Sequence, residues 1–113
     1  MDKRKLERKN LVYYLKVVDR STGALVGKLA DVSTEGIMLI HPSPLPVGTF
    51  YALRIDIPAH LEVKGPIDFD AECRWSKPDV NPDFFAAGLQ FRNILPRDIE
   101  TLEKLMEVYL LPK

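Results

Sequence analysis

Between residues 11 and 91 apolar and polar residues alternate in short runs, each stopped by glycine, proline or a cluster of Asp, Ser and Asn. Alternation with a period of two puts every second side chain on one face, so each run reads as a strand with one buried face. Strands this short cannot bury those faces singly and must pair into a common sheet. The runs predict strands at 11–19, 24–32, 37–40, 49–57, 67–75 and 84–91. In the second, Leu25, Gly27, Leu29 and Asp31 share one parity. In the fifth, Phe69, Ala71, Cys73 and Trp75 share the apolar parity, with Asp70, Glu72 and Arg74 opposite.

The breaks between runs carry their own chemistry. Residues 20–23 form a turn in which Gly23 takes a positive φ, and residues 33–36 turn the chain again. Pro42, Pro44 and Pro46 keep residues 41–48 out of any sheet. Residues 58–66 and 76–83 read as loops. The period changes once. Beyond Pro96, the residues Ile99, Leu102, Leu105, Met106, Tyr109 and Leu110 recur at spacings of three and four, one apolar stripe of a helix over 96–111. Pro96 suits its first turn, and Asp98 and Glu100 suit its positive end. Six strands and one helix make a small all-β barrel or sandwich with a C-terminal α-helix. That helix either plugs a barrel end, covers an edge or pairs with another copy as a homodimer.

At 113 residues, 46% of them hydrophobic, the chain suffices for a single core, and it reads as one domain over 1–113. It divides into a flexible basic arm (1–10), a β-barrel (11–92) and the helix. The formal net charge is zero, so the whole molecule has no bias toward nucleic acid or membrane. The arm differs: Lys3, Arg4, Lys5, Arg8 and Lys9 outweigh Asp2 and Glu7. Cys73 is the sole cysteine and allows no internal disulfide, which fits a reducing cytoplasm. The N-terminus has no apolar signal-peptide core, and no apolar run reaches membrane-spanning length.

Two polar clusters carry the chemistry. Arg4 and Arg8 form R-x-x-x-R, and Asp31, Ser33 and Gly36 form D-x-S-x-x-G. A guanidinium makes two parallel hydrogen bonds to phosphate oxygens, or to O6 and N7 of guanine. A carboxylate accepts both donors of guanine's Watson–Crick edge, and the Ser33 hydroxyl donates or accepts beside it. Gly36 is read as a positive-φ turn residue whose missing Cβ leaves room for a planar base. An arm ahead of the first strand can fold back over the turn that ends the second, ordering when an anion neutralises it.

In both motifs and in their order the chain resembles the PilZ domain family, the bacterial receptors for cyclic di-GMP. The likeness continues through P-L-P-V-G (Pro44, Leu45, Pro46, Val47, Gly48), through Trp75 at a strand end, and through A-G-L-Q-F (Ala87, Gly88, Leu89, Gln90, Phe91) before the helix. It implies a six-stranded antiparallel β-barrel with a C-terminal helix, no enzymatic activity and no cofactor beyond the ligand. By position, Arg4 and Arg8 would clamp phosphates and a guanine, and Asp31, Ser33 and Gly36 would hold a guanine on the barrel surface. Lys3 and Lys9 are secondary candidates. Lys3 stands where many members carry a further Arg, which leaves open whether one nucleotide or a stacked pair binds. Because the motif begins at residue 4, a stand-alone adaptor is expected, signalling to a protein partner in motility, biofilm or transcriptional control.

Plainer readings compete at each residue. A basic N-terminal stretch is usually a solvated tail, and Asp-x-Ser-x-x-Gly is ordinary turn composition. Trp75, the remaining secondary ligand candidate, falls on the core parity, and a core role outweighs base stacking there. Arg74 reads as an exposed side chain. His41, His60 and Cys73 lack partners at metal-ligand spacing, and Ser33 has no base near it in sequence. The rivals to a nucleotide receptor are a small barrel binding single-stranded nucleic acid and a PilZ fold serving only protein interaction. Neutral net charge opposes the first and intact motifs the second.

Overall fold

A computed structural model describes residues 15–58 and 65–105. Six strands are present: β1 (Lys16–Asp19), β2 (Leu25–Val32), β3 (Gly36–His41), β4 (Phe50–Ile55), β5 (Ile67–Pro78) and β6 (Phe85–Asn93). They close as an antiparallel barrel in the order β1-β2-β3-β6-β5-β4. The expected all-β barrel with a terminal helix is therefore the observed fold. Closure comes from β1 pairing with β4 through Val17↔Ile55, so no sheet edge is left along these ladders.

The turns follow their residues. Gly23 sits at φ 78°, and its N–H donates to the Asp19 carbonyl at 2.7 Å. Asp19 Oδ1 accepts from the Ser21 backbone N–H and hydroxyl, and the hydroxyl bond first of all holds this carboxyl below its ordinary value. Arg20, beside that turn, reaches across the barrel. Its Nη1 donates to the Leu53 and Phe69 carbonyls, and its Nη2 pairs with Asp70 at 2.9 Å. The proline-rich segment stays outside the sheet but anchors on it: Leu45 is buried, and its N–H donates to Ser76 Oγ at 3.2 Å.

The inward-facing residues form one core that includes Val17, Leu29, Leu39, Leu53, Ile55, Phe69, Ala71 and Leu89. Phe69 and Phe91 meet edge to face, with ring centroids 5.3 Å apart. The helix α1 (Pro96–Leu105) begins at the expected proline. Its Leu102 and Leu105 are buried in this same core, so the stripe packs on the barrel. Met106, Tyr109 and Leu110 lie outside the described residues, as do residues 11–14 of the expected first strand.

The structure departs from strict alternation in β5. Ser76, Lys77 and Pro78, expected in a loop, continue β5 against β6, with Pro78 opposite Phe85 at the end of the ladder. The hairpin closes only beyond them, where the Asp79 N–H donates to the Phe84 carbonyl at 2.9 Å. Cross-strand pairing here outweighs the turn composition of the segment, and proline at the strand's end forfeits few ladder bonds. Among the described residues no helix is long and apolar enough to cross a membrane.

Candidate functional site

The D-x-S-x-x-G segment joins β2 to β3. Asp31 lies near the end of β2, the Ser33 N–H donates to the Gly36 carbonyl at 2.9 Å, and Gly36 opens β3. Ser33 Oγ accepts the Glu35 N–H at 3.1 Å, the local bond that serine favours in turns. Asp31 Oδ1 accepts the Val32 N–H at 2.8 Å, which orients the carboxylate while using only one of its lone-pair sites.

Two β-bulges aim the site outward. Leu29 pairs with Leu39 and Asp31 with Met38, so Ala30 is the extra residue and the alternation resets. Asp31, on Leu29's parity by strict alternation, is exposed while Leu29 is fully buried. The same device acts in β5. Cys73 pairs with Leu89 and Trp75 with Gly88, leaving Arg74 as the extra residue. Trp75 is consequently 39% exposed, and its expected place in the core is corrected.

Through Asp31↔Met38, Met38↔Gly88 and Gly88↔Trp75, one row crosses four strands of the outer wall. It spans three inter-strand steps, roughly 14 Å at about 4.8 Å each. Over this row lies a groove of about 520 Å³, lined by Asp31, Ser33, Glu35, Gly36, Met38, Arg74, Trp75, Gly88 and Gln90 among others. That volume is in the range of small-molecule sites. Arg74 Nη1 donates to Gln90 Oε1 at 2.9 Å across β5 and β6, and Lys77 Nζ stands 5.3 Å from the Trp75 ring.

Two glycines shape this wall by absence of a side chain. A Cβ on Gly36 would overlap the Leu89 carbonyl oxygen of β6. Gly36 is not among the positive-φ glycines, so the expected turn conformation is corrected: glycine is needed for the close approach of β3 and β6. A Cβ on Gly88 would overlap the indole of Trp75, which lies across this position. Gly88, Met38, Arg74 and Gln90 were not singled out as site residues from the sequence. A glycine inside a strand pattern was the available signal, since it marks a bulge or a close approach.

Of the expected site residues, the structure brings Asp31, Ser33, Gly36 and Trp75 to one groove. Lys3, Arg4, Arg8 and Lys9 lie outside the described residues. Beneath the groove, burial pushes the Cys73 thiol above its ordinary pKa, so it stays protonated and inert as a nucleophile. Among the described residues no group of three His, Cys, Asp or Glu side chains is placed to hold a metal.

Fold and groove define a class: a closed six-stranded antiparallel barrel with a helix packed on it and a mixed polar and apolar groove on its outer wall. The sequence profile of the PilZ domain matches residues 2–107, and the chain belongs to that family. No curated protein matches it. Among solved structures it is similar to the Bacillus subtilis inhibitor of motility (MotI/DgrA), with a TM-score of 0.64 and 20% identity. The match covers 81% of this chain and 44% of that one, so the chain spans less than half the length of that protein, and the likeness is one of fold.

Proposed function

We propose that this chain is a cytoplasmic cyclic di-GMP receptor that works as an adaptor and not as an enzyme. The observation that carries the reading is the row from Asp31 to Trp75, which sets a hydrogen-bond acceptor and an aromatic surface at the two sides of one groove. A guanine edge facing Asp31 finds a carboxylate for its N1–H and N2–H, with Ser33 beside it. A planar base of this size rests over Met38 and Gly88 and stacks on Trp75. Arg4 and Arg8, from the N-terminal segment, supply guanidiniums to the phosphates and to a guanine. Ligand binding thereby couples to that segment and changes the surface offered to a protein partner, with motility and biofilm control the outputs to test.

Calorimetric titration of the purified protein with cyclic di-GMP tests the reading, with cyclic di-AMP as the control. Binding at micromolar ligand, rejection of the adenine analogue, and loss of binding in Arg8→Ala and Asp31→Ala are expected. Absence of binding, or an Arg8→Ala variant equal to wild type, overturns it.

A further inference from the structure

Outward-facing arginines on this barrel are mostly spoken for. Arg20 holds Asp70, Arg54 makes two bonds to Asp68 at 2.8 and 3.1 Å, and Arg92 takes Glu72 through both Nε and Nη2. Arg74 is different. Glu72, two residues before it on the same strand, is engaged by Arg92, and Arg74 hydrogen-bonds to the neutral amide of Gln90. That bond uses one guanidinium N–H of five, and it aims the group along the groove wall without neutralising it.

Charge along the groove is divided. Asp31 and Glu35 stand on the β2–β3 side, and Arg74 stands across β6 on the bulge of β5. Among the described lining residues Arg74 is the one cation. An anionic group entering this groove is repelled at the first side and attracted at the second. We infer that Arg74 is a phosphate-contact residue, held ready by Gln90, and that it fixes the direction in which a phosphate-bearing guanine nucleotide lies. Guanine faces the β2–β3 turn, and the phosphate faces the β5 bulge. This inference rests on the cyclic di-GMP reading and adds to it a cation from the barrel wall itself.

Titration of cyclic di-GMP into wild type, Arg74→Ala, Arg74→Lys and Gln90→Glu tests it, at low and at high salt, with urea unfolding of each variant alongside. A lost charge-assisted contact is expected to weaken Arg74→Ala roughly ten- to hundredfold. The penalty should shrink as salt rises. Arg74→Lys should recover part of the affinity, since it keeps the charge and loses the fork. Gln90→Glu, which turns the amide into a competing carboxylate, should weaken binding while leaving the fold intact. If wild type binds and Arg74→Ala binds equally well, the inference is overturned and the receptor reading stands. A merely structural role would appear as a lowered unfolding midpoint with a salt-independent loss that Arg74→Lys does not repair, and that also overturns it. If wild type does not bind, both fail.

Discussion

The two halves of β5 obey different rules. From Ile67 to Cys73 the strand alternates, with Ile67, Phe69, Ala71 and Cys73 buried, and it pairs with β4 in an unbroken register from Ile55↔Ile67 to Phe50↔Glu72. Beyond Cys73 it loses β4, pairs with β6 alone, and leaves Arg74, Trp75, Lys77 and Pro78 exposed. The first half has one inward face to fill, and from Asp70 to Glu72 it is held on both edges. The second half has neither constraint, so its side chains are free to build a groove. Stability and the proposed recognition are thus separated along a single strand, with the Arg74 bulge as the boundary.

The sharpest way to break this division is in the first half. Phe69→Ala removes a fully buried ring in contact with Phe91 and is expected to cost about 3–5 kcal/mol in urea unfolding. Gly36→Ala should follow at about 1–3 kcal/mol, because the colliding atom is backbone and β3 must move from β6. If this variant unfolds like wild type, the close-approach account is wrong.

In the second half the effects should pass from stability to binding. Trp75→Ala is expected to leave the unfolding midpoint nearly unchanged and to weaken cyclic di-GMP by about 1–3 kcal/mol, the usual worth of a stacked base. Gly88→Ala should have a similar effect by pushing the indole off its place. Trp75 is the sole tryptophan, so its fluorescence should report that displacement directly. A Trp75→Ala variant that loses stability like a core mutant would erase the contrast between the halves.

The smallest effect belongs to the exposed pair on the regular half. The hydrogen bond from Arg54 holds the Asp68 carboxyl below its ordinary pKa. A depressed folded-state pKa contributes stability that is present above the unfolded carboxylate range and is lost as pH falls through the lower folded value. Asp68→Asn should therefore flatten part of the acid limb of a stability-against-pH curve and change little near neutrality, where a solvent-screened pair is weak. A clear loss at neutral pH would show that the pair does more than its exposure allows.

Most of the barrel was legible because its signals are local. Gly23 had to turn, Pro42 to Pro46 had to leave the sheet, and Leu102 and Leu105 had to share a helix face; each follows from the backbone and side chains of a few neighbours. The D-x-S-x-x-G turn was legible for the same reason. What counting could not read was the outward face of Trp75, and that of Asp31 was legible only through the family resemblance that set it on the barrel surface. Period-two counting assigns both inward, and a single extra residue in each strand reverses the answer.

Residue order alone therefore indicated the six strands, the turns and the helix, short of the extension of β5 through Pro78, and it supplied Arg4, Arg8, Asp31, Ser33 and Gly36 as the residues of the proposed guanine site. Tertiary structure decided which side chains reach a common groove and why glycine stands at 36 and 88. The reason is physical. Alternation is a property of one strand, whereas a bulge belongs to a ladder between partners, and its position is set only when all six strands close their registers together.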